Sequence, residues 1–212
     1  MRRLPLVLAA MLVALNAQAG GPERTFDLDR AATGVARIVL EVGVGDVEVI
    51  ADETGRITAH VEVSASKGWR GSTRAQRALE ELELESEMKG DALHLRISER
   101  HDDDHSFGED WTLHLPPGVA LEIEQGVGDL RILDIAAEIN VELGVGEVHI
   151  EGEHAAFGPI EGSCGVGDVS LRTPEGRTEG RGFIAHSLEA EGPGKASIDV
   201  EVGVGDVDIR LR

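Results

Sequence analysis

Apolar and polar residues alternate one for one along most of this chain, and the alternation recurs in near-copies of one stretch, Glu201 to Ile209. The other copies are Glu41 to Val49, Glu124 to Ile132, Glu142 to Ile150 and Ser163 to Leu171. Ahead of the first glycine, alternate slots hold Ile38, Leu40 and Val42; Leu121, Ile123 and Gln125; Ile139, Val141 and Leu143; Ile160, Gly162 and Cys164; Ile198, Val200 and Val202. A period of two predicts strands with one buried face. Glu41, Glu124, Glu142, Ser163 and Glu201 fall in the opposite phase and are predicted to face water. Beyond the glycines the apolar slots are Val47 and Val49, Leu130 and Ile132, Val148 and Ile150, Val169 and Leu171, Val207 and Ile209. The inward phase slips by one residue across Gly-Val-Gly. That predicts a bend or bulge, with glycine supplying the backbone conformation.

Gly126, Gly144 and Gly165 follow one another at a period of about 20 residues, which fits two short strands and two corners. The interval from Gly165 to Gly203 is about double, concealing a worn copy at Gly182 to Leu188. Repeats of this kind bury their apolar faces against their neighbours. The expected fold is all-β, a parallel β-solenoid (β-helix-like) of Gly-Val-Gly-Asp corners. The alternative, an antiparallel sandwich with each corner a hairpin loop, lacks the Asn-Gly and Asp-Gly turns that favour tight hairpins.

Taken in order, Met1-Arg2-Arg3, the apolar run Leu4 to Leu15 and Ala17-Gln18-Ala19 have the three parts of a cleaved signal peptide, residues 1–19. Residues 20–34 read as a polar lead-in and 35–212 as one solenoid domain, interrupted at about 70–98 by a helix and a hairpin. Ile57 to Ser66 alternates as a strand. Ser72 or Thr73 is placed to cap a helix through Arg74 to Glu81. Leu82, Leu84 and Met88, the turn Lys89-Gly90-Asp91, and Leu93, Leu95 and Ile97 read as a hairpin. A charged loop, a strand with Trp111, Leu113 and Leu115, and the Pro116-Pro117-Gly118 turn lead into the second copy. The inserted helix and hairpin are expected to cap one end of the stack, where bare sheet edges invite aggregation.

These features together resemble the bacterial "putative adhesin" family DUF4097, through Gly43 to Val47, Gly126 to Leu130, Gly165 to Val169 and Gly203 to Val207. The resemblance spans about residues 35 to 212. The family's middle position is often asparagine, where this chain has Val44, Val127, Val145, Val166 and Val204. The resemblance implies a β-solenoid at the cell envelope and carries no catalytic residues over.

Composition narrows the function. The chain of 212 residues is 41 % apolar but only 3 % aromatic, without tyrosine, which suits a narrow interior of Val, Ile and Leu and removes the usual anchors of tight interfaces and of base stacking. The formal charge is −20, and loss of Arg2 and Arg3 with the leader makes it more negative. That charge argues against nucleic acid or an anionic membrane surface as a partner, and no stretch beyond the leader is apolar enough for stable membrane insertion. The partner expected is an envelope or surface component, with the mature protein in the periplasm or at the cell surface. The single cysteine, Cys164, occupies an inward slot, as a buried structural thiol does.

Chemistry is best sought at the acidic corners. Asp46, Asp129, Glu147, Asp168 and Asp206 share one slot and Glu41, Glu124, Glu142 and Glu201 another. Parallel stacking sets equivalent slots about 4.8 Å apart, giving carboxylate rows of the kind Ca²⁺ takes. Such neighbours repel by only about 1 kcal/mol in water, so the rows need no cation, and the calcium-binding solenoid motif Gly-Gly-x-Gly-x-Asp differs in spacing. A solvated face is the simpler reading, with a divalent-cation (Ca) module as the alternative. His101, Asp103 and His105, in a run of two imidazoles and three carboxylates, form a weaker metal candidate on a charged loop. His60, His94, His114 and His149 fall in outward slots. No Gly-x-Ser-x-Gly elbow occurs, and no histidine with an orienting acid lies near Ser163. The outward cations, Arg131 and Arg172, are outnumbered by acids, so a carbohydrate-active β-helix enzyme is the least supported reading. The expectation is an exported, non-catalytic scaffold or adhesin-like interaction protein without a cofactor.

Overall fold

The computed structural model describes residues 12–14, 17–18, 21–65, 73–99, 107–180 and 186–212. Three strands open the chain: β1 (Leu12–Ala14), β2 (Ala17–Gln18) and β3 (Gly21–Ala31). The first copy is β4 (Arg37–Val44) and β5 (Val47–Ala51), followed by β6 (Arg56–Ala65), α1 (Thr73–Glu81), the hairpin β7 (Leu82–Lys89) and β8 (Ala92–Glu99), and β9 (Phe107–Leu115). The next copies are β10 (Ala120–Val127) with β11 (Leu130–Leu133), β12 (Ile139–Val145) with β13 (Val148–Gly152), and β14 (Phe157–Val166) with β15 (Val169–Thr173). Then come β16 (Gly176–Glu179), β17 (His186–Glu191) and the last copy, β18 (Ala196–Val204) with β19 (Val207–Leu211).

The fold is all-β, in two open mixed sheets. One runs β1-β3-β6-β9-β5-β11-β13-β19-β15-β16, with β2 beside β3; the other runs β17-β14-β18-β12-β10-β4-β8-β7. Every copy sends its first strand into the second sheet and its second strand into the first. The Gly-Val-Gly-Asp corner therefore crosses between sheets, and it is not a hairpin loop.

Within each sheet the copies pair in parallel and in register, like side chain upon like. Ile38, Leu121, Ile139, Ile198 and Ile160 form one inward row, and Val49, Ile132, Ile150, Ile209 and Leu171 another. All are buried in the apolar core that both sheets share. Each such side chain contributes about 1.5–3 kcal/mol of burial.

Four expectations are corrected. The copies do not stack in chain order, as coils of a simple solenoid would: the last, β18–β19, lies between the third, β12–β13, and the fourth, β14–β15. Each copy presents the same faces to its neighbours, so the repeat pattern cannot encode the order. The supposed polar lead-in is the strand β3, antiparallel to β6, with Phe26 and Leu28 buried. Only two apolar residues carry its alternation, between Arg24 and Arg30. Within the worn copy, residues 181–185 lie outside the described set, and His186 onward forms β17, antiparallel to β14 and at the edge of its sheet. Finally, β8 and β9 together make a further rung, parallel to β4 and β5 respectively. That rung has no Gly-Val-Gly; residues 100–106, between its two strands, lie outside the described residues.

One end of the stack carries the helix and hairpin. Ala75, Leu79 and Leu82 turn one face inward, and the Arg24 guanidinium, 4.6 Å above the Phe26 ring, donates to the carbonyls of Leu79 (2.7 Å) and Leu82 (2.5 Å). A cation thus serves the orphan carbonyls at the helix C-terminus. The opposite end is closed by β16 and β17, each antiparallel to the strand it covers. No helix among the described residues is long and apolar enough to cross a membrane.

Candidate functional site

The corners line up in register rung on rung, and sterics explain the glycines. The second glycine of each copy (Gly45, Gly128, Gly146, Gly167, Gly205) has φ between +136° and +148°, a region L-residues avoid. A Cβ on Gly128 would stand 2.0 Å from the carbonyl oxygen of Gly45, and one on Gly146 1.9 Å from that of Gly128. First glycines after that of the first copy are nearly as confined: a Cβ on Gly126 would lie 2.5 Å from the Gly43 carbonyl oxygen, and one on Gly144 2.5 Å from that of Gly126. The backbone closes up rung on rung because no side chain stands between.

The acid after the second glycine has a specific task. Backbone bonds cross the corner from Gly45 N to Val127 O (2.8 Å) and from Val47 N to Asp129 O (2.9 Å), and they repeat on later rungs. The intervening amide, at the acid itself, points the other way and meets the preceding rung's carboxylate. Asp129 N donates to Asp46 Oδ1 (2.9 Å), Glu147 N to Asp129 Oδ1 (3.0 Å) and Asp168 N to Asp206 Oδ1 (2.8 Å). The row begins one rung earlier than the motif indicates, with Asp46 N on Asp110 Oδ1 (3.2 Å). Its signal in the sequence was Asp110-Trp111 followed by Leu113 and Leu115, the phase of Asp46-Val47 and Val49. At the far end the His186 Nδ1–H donates to the Gly167 carbonyl, with Asp168 Oδ1 3.4 Å away. A carbonyl only accepts, so this nitrogen carries a proton.

The second row is different. Glu41, Glu124, Glu142 and Glu201 are exposed and in register, with Ser163 completing the line. Arg96 reaches Glu41 at 3.7 Å. Among the described residues no ion pair reaches Glu124, Glu142 or Glu201. The five candidate acids Asp46, Asp129, Glu147, Asp206 and Asp168 are thus brought into one row in that spatial order, yet among the described residues no three of His, Cys, Asp and Glu converge on one point. A hard cation such as Ca²⁺ needs six to eight oxygens at about 2.3–2.6 Å. His101, Asp103 and His105 lie outside the described residues.

Below the corner, the slot before the first glycine holds Val42, Gln125, Leu143, Val202 and Cys164. Its two polar members act alike: Gln125 Nε2 donates to Gly45 O at 2.6 Å and Cys164 Sγ to Gly205 O at 2.9 Å. Each holds the second glycine of a neighbouring rung. Both are buried, and Gln125 Oε1 has no hydrogen-bond partner.

Two of the four outer-face histidines, His60 and His149, are paired. His60 Nδ1 is 2.7 Å from Asp27 Oδ1, a contact that raises the imidazole pKa above 6.5, with partial burial opposing it. His149 Nε2 lies 2.7 Å from Glu151 Oε1, and that bond holds the Glu151 carboxyl below its ordinary range.

No protein-family profile matches the chain, and no curated protein matches it significantly. Among solved structures, a "putative cell adhesion protein" from Clostridium sporogenes ATCC 15579 superimposes with a TM-score of 0.54 at 19 % identity, over 90 % of this chain and 100 % of that one. The two share a fold. A "putative adhesin" from Parabacteroides distasonis ATCC 8503 gives a TM-score of 0.32 at 13 % identity, over 63 % and 45 % of the two chains. Another, from Bacteroides fragilis NCTC 9343, gives 0.26 at 11 % identity, over 87 % and 96 %. These last two bear on neither fold nor function.

Proposed function

We propose that this chain is an exported, non-catalytic scaffold of the cell envelope with an adhesin-like role, of the DUF4097 kind. The observation that carries the reading is the corner, where five copies set valine throughout and acids at nine of ten flanking places in register on a two-sheet body. Such rows form an extended recognition surface, whereas catalysis needs unlike groups converging on one atom. The fold shared with a protein named for cell adhesion agrees with this, and the leader at residues 1–19 accounts for export.

The test has two arms. Expressed with its own leader, the chain should be released by osmotic shock or found at the surface, with a mature N-terminus at residue 20. Beads coated with the purified chain should be retained on bacterial or host cells more than beads coated with an equally acidic globular protein. Equal retention on every cell type tried would defeat the adhesin-like role, and a cytoplasmic chain with an intact N-terminus would defeat export.

A further inference from the structure

Among the described residues six large apolar side chains are exposed, and five of them are Val44, Val127, Val145, Val166 and Val204. They pair in register along the corner, in the spatial order 44, 127, 145, 204, 166. Four are 45–46 % exposed and Val166 is 64 % exposed. Glycines on both sides leave each valine standing clear of the backbone. At about 4.8 Å per rung the line is roughly 19 Å long. Scattered surface valines are ordinary, but a continuous apolar line between polar borders is a mark of an interaction site.

Both borders are acidic: Glu41, Glu124, Glu142 and Glu201 on one flank, Asp46, Asp129, Glu147, Asp206 and Asp168 on the other. Several cations elsewhere are engaged with other acids, Arg37 with Glu122 and Glu138, Arg210 with Asp208, and Arg212 with Asp134 and Glu153, and Arg131 lines the same cleft as Asp46, Asp129 and Glu147 without an ion pair to them. The two rows are met only at their ends, Glu41 by Arg96 and Asp168 by His186; between them no ion pair reaches either row among the described residues. A second copy would bring acid onto acid, on a chain of formal charge −20. The complement is an apolar stripe flanked by cations.

We propose that the valine line docks a cationic amphipathic α-helix of a partner protein, its apolar stripe on the valines and its Lys and Arg side chains on the two carboxylate rows. A helix repeats a face about every 5.4 Å, close to the rung spacing, and about 13 residues cover the line. An extended strand repeats a face about every 6.7 Å and falls out of step within two rungs. This names the partner chemistry for the scaffold proposed above and rests on that reading. Peptide binding is read without cells, so it fails or succeeds separately from cell attachment.

The probe is a fluorescein-labelled synthetic helix of about 14 residues with leucine on one face and lysine on both flanks, titrated with the whole chain by anisotropy. Saturable binding is expected, weakened at least fivefold by Val127→Thr, Val145→Thr and Val204→Thr together, and about tenfold by Glu124→Gln, Glu142→Gln and Glu201→Gln together. Threonine keeps the β-branched shape, and circular dichroism melts verify folding. A peptide with serine for leucine at the same charge should bind at least fivefold more weakly, an arm that needs no protein variant. Glu53→Gln, Asp91→Asn and Glu175→Gln together, the same charge change at turns away from the corner, should leave binding unaltered. The proposal is overturned by absence of saturable binding, by equal binding of the serine peptide, by valine variants that bind as wild type, or by equal weakening in the turn variants.

Discussion

At the scale of single residues, the corner acids are hydrogen-bond acceptors before they are charges. Asp46, Asp129 and Asp206 each take an amide that the backbone ladder leaves over, which explains aspartate at three of the five motif positions; Asp168, at the end of the row, lies beside His186 instead. Asp129→Ala should cost about 1 kcal/mol, because water can reach the exposed Glu147 amide, and lower the melting temperature by about 2–4 °C. Asp129→Asn, which keeps an acceptor oxygen, should cost less than half of that. Glu147 is the exception: among the described residues no bond runs from Asp206 N to it. Glu147→Asp should complete the row and raise the melting temperature by a similar few degrees. His60 makes a pH prediction. Asp27 raises its folded pKa above 6.5, so its contribution is full below about pH 6.5 and is lost as pH rises through the folded value. The stability gap between wild type and Asp27→Asn should therefore narrow from about pH 5.5 to pH 8.5, and a gap that widens would refute the assignment. The acids were visible in the sequence as two regular slots. Their acceptor role was not, because it depends on an amide supplied by another rung.

At the scale of elements, the corner and the strand alternation carry most of the fold, and glycine position matters more than glycine content. Gly55, with φ +70° and nothing within 4 Å of the place a Cβ would take, should tolerate alanine at about 1 kcal/mol of left-handed strain. Gly128→Ala meets a carbonyl oxygen at 2.0 Å and should prevent cooperative folding or cost more than about 4 kcal/mol. Urea denaturation of both variants distinguishes a local conformational cost from a stacking clash. The strands, the helix and the Lys89-Gly90-Asp91 hairpin were legible because each repeats its pattern locally; β3 was not, since two apolar residues make too short a period.

At the scale of the whole molecule, the order of the rungs decides how the chain fails. Residues 196–212 are the last in sequence, yet β18 and β19 are paired on both sides. Deleting them should abolish the cooperative thermal transition. Coils stacked in chain order would lose only their last rung and still melt cooperatively. Cations act at this scale too. With most of the Asp row engaged in amide bonds, about 1 mM Ca²⁺ and Mg²⁺ should raise the melting temperature equally over EDTA, by screening; a rise specific to calcium would favour the divalent-cation module.

By itself the sequence determined the all-β class, the inward and outward faces, the corner and its two acidic slots, because these follow from spacing within one copy. Only the tertiary structure decided which copy lies beside which, that β8 and β9 form a further rung, that Asp110 heads the acid row, and that Gln125 and Cys164 each hold a neighbour's glycine. Those are relations between rungs. Copies with the same faces are interchangeable in pattern, and only connections and end caps distinguish them once the chain has folded.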